Sequence, residues 1–151
     1  MPPKTIKASI IGITGYTGLE LLRLLLAHPH VEIGFLTSRQ HENEPIGAVY
    51  PHLAHLDYKI TNTDHESVAD NSDIVFLCLP HKTAQDAVAA LMGKTKIIDL
   101  SADYRLDDAA TYEKYYGLPH NHPELLKKVV YGLPEINRED IKGTGTVANP
   151  G

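Results

Sequence analysis

The sequence predicts an α/β fold, a doubly wound and mostly parallel sheet of the Rossmann-like kind. Two observations carry this. Short runs rich in Val, Ile and Leu alternate along the chain with longer segments of helical character. The first alternation is joined by Gly12-Ile13-Thr14-Gly15-Tyr16-Thr17-Gly18, an apolar run before it and a leucine-rich run after it. That context makes the glycines a strand, a tight turn and a helix start. Gly12 permits the turn, Gly15 lets the backbone approach a bound group, and Gly18 lets the helix pack closely on the strand. The spacing differs from the commoner G-x-G-x-x-G, but the setting is the one a nucleotide phosphate loop requires. Free amides at such a helix start favour an anion, and the hydroxyls of Thr14, Tyr16 and Thr17 are candidates to join them.

Composition narrows the function classes. The 151 residues suffice for about one domain with a real core. A formal net charge of −5 with no basic block argues against nucleic acid or an anionic membrane as partner. No apolar run approaches a membrane span, and Met1-Pro2-Pro3-Lys4 lacks the apolar stretch of a signal peptide. The single cysteine, Cys78, excludes an internal disulfide and suits a reducing cytoplasm.

Taken in order, residues 6–11 read as a buried strand and Leu19 to Ala27 as a helix. Six leucines in that helix predict burial over most of its circumference. Pro29 stops it, and Val31 to Thr37 form the second strand. An acidic residue at the end of that strand would hold a ribose 2′-hydroxyl, but here stand Thr37-Ser38-Arg39-Gln40. A hydroxyl and a guanidinium together suit a 2′-phosphate, so Ser38 and Arg39 point to NADP(H) rather than NAD, the alternative being a solvated arginine in a loop.

Residues 40–57 read as loop with a short helix, and Tyr58 to Ile60 as a short strand. Thr63-Asp64-His65-Glu66 has capping-box spacing and opens a helix with Thr63 as its cap. Asp73 to Leu79 is a continuous apolar strand with Cys78 inside it, where burial makes the thiol core rather than nucleophile. Pro80 and His81 follow at the carboxyl edge, where ligands sit in open α/β sheets, and are candidates to line the cofactor pocket. Thr83 to Met92 is a helix ended by Gly93, and Lys96 to Leu100 is the next strand.

Beyond Leu100 the pattern loosens. Ser101 to Leu106 follows a strand end, so its polar groups are candidates to face a site. Tyr104, Tyr112, Tyr115 and Tyr116 read as core packing. Pro123 to Lys128 is a short helix, Tyr131 to Glu135 a turn, Asn137 a helix cap, and Thr144 to Ala148 a last strand. The histidine pairs His52/His55 and His120/His122 lack the cysteine or carboxylate companions of a metal site and read as exposed loop residues, so no metal is expected.

The segments Gly12 to Gly18, Thr37-Ser38-Arg39, Leu79-Pro80-His81, Asp99 to Leu106, Tyr131 to Glu135 and Asn149-Pro150-Gly151 together resemble the N-acetyl-gamma-glutamyl-phosphate reductases, relatives of aspartate-semialdehyde dehydrogenase. They occur in family order along the whole chain. The resemblance implies NADPH-dependent reduction of an acyl phosphate to N-acetylglutamate 5-semialdehyde in arginine biosynthesis, through a thioester on a cysteine. In the family that cysteine directly follows Asn-Pro-Gly, which puts it at position 152, just beyond Gly151. The family's general-base histidine and dimerisation domain, and a final helix that covers the nucleotide domain, are not in this sequence. The resemblance thus makes residues 1–151 an NADP-binding domain with no catalytic residue of its own and no activity alone. It implies a small-molecule substrate and a homo-oligomer for the full-length protein. The rival readings are a lysine-pathway aminoadipyl-phosphate reductase and a non-enzymatic NADP-binding sensor or interaction domain.

Overall fold

The structure is a computed structural model in which residues 5–151 are described, so the reading of Met1 to Lys4 lies outside the described residues. Its first unit is β1 (Ile6–Ile11), α1 (Tyr16–Leu26) and β2 (Val31–Thr37). Both strands coincide with the apolar runs. The helix starts three residues earlier than Leu19, which puts Gly18 inside its first turn. The predicted burial of α1 is corrected: Leu22 is buried, but Leu24 and Leu26 are 53% and 37% exposed. The helix lies as a single layer over β1 and β2, and nothing among the described residues packs on its outer side.

A short α2 (Ile46–Val49) and a 3-10 turn (Pro51–Leu53) lead to β3 (Ile60–Thr61). This strand is shifted from the predicted Tyr58–Ile60 because Lys59 instead bridges Pro45 in antiparallel fashion. Then α3 (His65–Asp70) is capped by Asp64, not Thr63. The Asp64 carboxylate accepts the Ser67 amide at 2.9 Å, whereas the Thr63 hydroxyl donates back to Thr61 Oγ1 at 2.8 Å. A charged acceptor one residue nearer the helix wins the capping role. The next units are β4 (Ile74–Leu77), α4 (Ala84–Leu91) and β5 (Lys96–Asp99).

Helix α5 (Ala109–Tyr116) is capped by Asp108 through the Thr111 amide and ends at Gly117, whose φ of 72° is the left-handed turn glycine accepts. A 3-10 helix (Pro123–Lys128) leads to β6 (Val130–Tyr131), a strand the sequence reading took in part for a turn. Two residues are too short to show a period. Helix α6 (Pro134–Gly143) begins with Pro134, whose missing N–H is unneeded there, and kinks at the non-helical Asn137. Asn137 thus stands where two helical segments meet, but its side chain donates to the Tyr131 carbonyl at 2.9 Å instead of accepting a helix amide as a cap would. The last strand is β7 (Thr146–Ala148).

The seven strands form one sheet in the order β3-β2-β1-β4-β5-β7-β6, and every pairing is parallel. One face, with Val75, Leu77, Ile97 and Ala148, packs on α3, α4 and Leu126. On the other face, Ile10, Leu36 and Ile60 lie under α1 and α2. The same row continues through Phe76, Ile98, Val147 and Val130, and these are only half-buried. Helix α6 packs against β6 at this end of the sheet. Strand order reverses at β1, between β2 and β4, so a crevice opens at their carboxyl ends.

Candidate functional site

A cleft of about 550 Å³ occupies that crevice. The glycine turn forms its floor, the β2 end one wall, and the β4 end with Thr83 the other. Its volume lies in the range of small-molecule sites.

The three glycines differ in what confines them. Gly12 has φ 92°, and a Cβ there would lie 2.4 Å from the Cys78 carbonyl oxygen. At Gly18 a Cβ would lie 2.5 Å from the Gly12 oxygen, so helix and turn touch backbone to backbone. Gly15 has open space, its nearest atom being the Gly12 oxygen at 3.9 Å, and it caps α1 without a side-chain bond. The amides of Tyr16, Thr17 and Gly18 find no acceptor among the described residues, and no acidic residue stands in the first turn. Donors left open at a helix start, beside a position with room for a close approach, fit a pyrophosphate.

The β2 wall begins at Thr37, whose carbonyl accepts the amides of Gly12 and Ile13 at 3.0 and 3.1 Å. Those bonds tie the turn to the strand end. Ser38 is buried, with its hydroxyl 3.3 Å from Thr14 Oγ1, while Arg39 is exposed at the cleft. No carboxylate lines the cleft, and His65, which the sequence reading did not single out, does. Tyr16 lines it too but is 96% exposed.

On the far wall, Pro80 lines the cleft and its carbonyl accepts the Thr83 amide and hydroxyl. His81 lies outside the lining. It is exposed, and its Nδ1 accepts the Ala102 amide at 3.0 Å, which leaves the ring proton on Nε2. Cys78 is corrected in one respect: it lies one residue past β4 and lines the cleft. Its thiol is nonetheless pushed up to about 12, by burial first and then by the Asp99 charge. It is no thiolate at neutral pH.

The Ser101–Leu106 segment does not face the cleft as expected; its polar groups turn inward. Asp103 is fully buried, and its carboxylate accepts the Lys82 amide (2.8 Å), the Ala84 amide (3.1 Å) and the Tyr112 hydroxyl (3.0 Å). It thereby satisfies the start of α4 from a distant part of the chain. Tyr104 and Tyr112 are core, as predicted, whereas Tyr115 is 72% exposed. His120, expected in an exposed loop, is buried between both ring edges, with Nε2 3.0 Å from the Asp103 carbonyl. Arg105 donates to the carbonyls of Asn149 and Leu100, which pins the segment after β7 to the carboxyl edge of β5. No group of three or more metal-ligating side chains, and no helix long and apolar enough to cross a membrane, occurs among the described residues.

Asp99 is the other buried carboxylate of this edge. Burial is the main force on its carboxyl and Asp103 adds to it; together they outweigh the two Ser101 hydrogen bonds and the Arg105 charge, and push it up to about 6. The folded protein thus keeps a proton that the unfolded chain has already released. This group's contribution to stability is complete below the unfolded value near 4 and is lost as pH rises through about 6. Asp99→Asn imitates the protonated form. The stability difference between variant and wild type, from urea unfolding, is expected to shift in the variant's favour by about 2 kcal/mol between pH 4.5 and 7.5. A difference independent of pH would contradict this.

Relatives share the sequence over nearly the whole of this chain. The chain is 51% identical over 148 residues to a protein of Halothermothrix orenii named N-acetyl-gamma-glutamyl-phosphate reductase, covering 97% of this chain and 43% of that protein. It is 47% identical over 147 residues to a Cenarchaeum symbiosum protein described as a putative LysW-linked L-2-aminoadipate and L-glutamate phosphate reductase, covering 96% and 42%. The chain therefore spans less than half the length of these curated relatives. Among solved structures, aspartate semialdehyde dehydrogenase with NADP from Candida albicans matches with a TM-score of 0.67 at 18% identity, over 97% of this chain and 42% of that one. At that identity the likeness shows the fold. Residues 7–144, which carry the glycine turn, both cleft walls and the Asp103 hub, match the semialdehyde dehydrogenase NAD-binding domain, and the chain belongs to that family.

Proposed function

We propose that this chain is the cofactor-binding part of an NADPH-dependent acyl-phosphate reductase acting on N-acetyl-gamma-glutamyl phosphate. The observation that carries the reading is the 51% identity, over nearly the whole chain, to a relative of that name. The cleft supports it. The open amides of Tyr16, Thr17 and Gly18, with Thr14 and Thr17 beside them, would hold the pyrophosphate. Ser38 and Arg39 would receive a 2′-phosphate, and the lack of a carboxylate removes the partner that a free 2′-hydroxyl wants. Pro80 would bound the nicotinamide end, with His81 just beyond the edge of the cleft. NADPH, when bound, supplies the hydride.

Cys78 cannot be the nucleophile, because its thiol stays protonated. The acyl-transfer residue belongs instead to the rest of the polypeptide, and position 152 is the place we propose. Arg105 and Asp99 hold Asn149 at the carboxyl edge on which the cleft opens, so the next residues would emerge beside the bound cofactor. The half-covered row Phe76, Ile98 and Val147 is the surface the remaining polypeptide would cover.

The full-length protein is expected to oxidise N-acetylglutamate 5-semialdehyde with NADP+ only when phosphate is present, followed by absorbance of NADPH. Turnover only of a carrier-bound aminoadipyl substrate would instead favour the reading that the Cenarchaeum symbiosum relative supports. No turnover of either would leave a binding module. Arg39→Ala should weaken NADPH by roughly five-fold, as for one exposed charge pair, and leave NADH nearly unchanged. Equal losses for both cofactors in a fluorescence titration would remove the 2′-phosphate assignment.

A further inference from the structure

Arg39 is not the only basic side chain at the cleft. His65 opens α3 and lines the same cleft, together with Ser38, Arg39, Asn62 and Thr63. Its ring is half-buried, and neither nitrogen has a hydrogen-bond partner among the described residues. The two carboxylates that face it are already engaged. Asp64, its neighbour in sequence, accepts the Ser67 amide and hydroxyl. Asp86, on α4, is held by His122 Nε2 at 2.8 Å. Two basic groups thus share a cleft that presents no carboxylate to balance them.

We propose that His65 and Arg39 together clamp the 2′-phosphate, and that His65 takes up a proton from solvent as the phosphate binds. This rests on the NADP reading above and adds a residue and a pH response to it. Without an anion, burial first and the Arg39 charge second hold the imidazole below its ordinary value, against the opposing pull of Asp64 and Asp86. A dianion between the two cations reverses the Arg39 effect and favours the imidazolium. By linkage the 2′-phosphorylated dinucleotide binds more tightly as pH falls through the imidazole's range. The dinucleotide lacking that phosphate shows no such gain. The His65 side chain carries this effect; the short helix behind it is not required.

Calorimetric titration of NADP+ and NAD+ into the full-length protein tests the proposal, in two buffers of different ionisation heat and at several pH values. Wild type, His65→Gln and His65→Arg are compared. The phosphate's own titration is common to all three and cancels. His65→Gln is expected to lose roughly five-fold in NADP+ affinity below pH 7, as for one partly exposed charge pair, with NAD+ changed less than about two-fold. Wild type should take up more protons with NADP+ than His65→Gln does. His65→Arg should keep the NADP+ preference and lose the excess proton uptake. A wild type that prefers NADP+, with the same preference and proton uptake in His65→Gln, would overturn this proposal and leave the cofactor reading standing. A wild type with no preference for NADP+ would overturn both. If His65→Gln does not fold, proton uptake in His65→Arg equal to wild type would be the contrary result.

Discussion

Gly12→Ala is expected to cost at least about 4 kcal/mol and to leave little folded protein, although it adds a single methyl group. Two independent penalties meet at this residue. Its φ of 92° is a conformation that L side chains rarely adopt, worth about 1–2 kcal/mol by itself. The new Cβ would also stand 2.4 Å from the Cys78 carbonyl oxygen and 2.9 Å from its carbon. Neither atom can retreat, because the Cys78 amide donates to Ile11 and continues the β1–β4 ladder. Relief would have to come from parting the two central strands. Gly15→Ala is the control. Its Cβ has room, so only the poorer N-cap that alanine makes for α1 is lost, and the protein should stay folded at a cost of no more than about 1 kcal/mol. If Gly12→Ala folds like Gly15→Ala, the close packing of turn against β4 is not what the glycine serves.

The second large effect is expected behind the cleft wall, at the start of α4. Asp103→Ala should destabilise the domain by about 4 kcal/mol, since removing the carboxylate strands three donors in a buried place. Two of these are the amides of Lys82 and Ala84 at the start of α4. Lys82 itself sits at φ 76°, a strained conformation for a lysine, and its bond to Asp103 offsets that strain. The third donor, Tyr112, ties α5 to the same point. Asp103→Asn should cost less, about 1–2 kcal/mol, because its one carbonyl oxygen still serves Lys82 and Tyr112 while its amide faces the Ala84 N–H. Hydrogen exchange should rise first at Lys82 and Ala84 in Asp103→Ala, and at Ala84 alone in Asp103→Asn. An Asp103→Ala protein with wild-type stability would show that water can replace the carboxylate.

These two residues also mark the division between what was legible and what was not. Gly12 announced itself, because the apolar run before it and the leucines after it lie within a few residues, and strand–turn–helix chemistry is local. The same holds for most strand positions, the glycine after α4 and the missing carboxylate after β2. Asp103 did not announce itself. Its partners lie nine to twenty-one residues away, and nothing in Ser101-Ala102-Asp103-Tyr104-Arg105 separates a ligand-facing aspartate from one that caps another helix. His120 failed for the same reason, its shelter being two tyrosines from other elements.

The sequence by itself determined the α/β class, the order of most elements and the turn on which the cleft is built, because side-chain periodicity and glycine conformations act between near neighbours. Tertiary structure alone decided which polar groups face the cleft. It set His65 in the same cleft as Arg39 and turned the polar groups of residues 101–106 inward. It also left the outer leucines of α1 and the row through Phe76 and Ile98 half-covered. Burial and hydrogen bonding there depend on what packs across the sheet, and that is fixed only when distant segments meet.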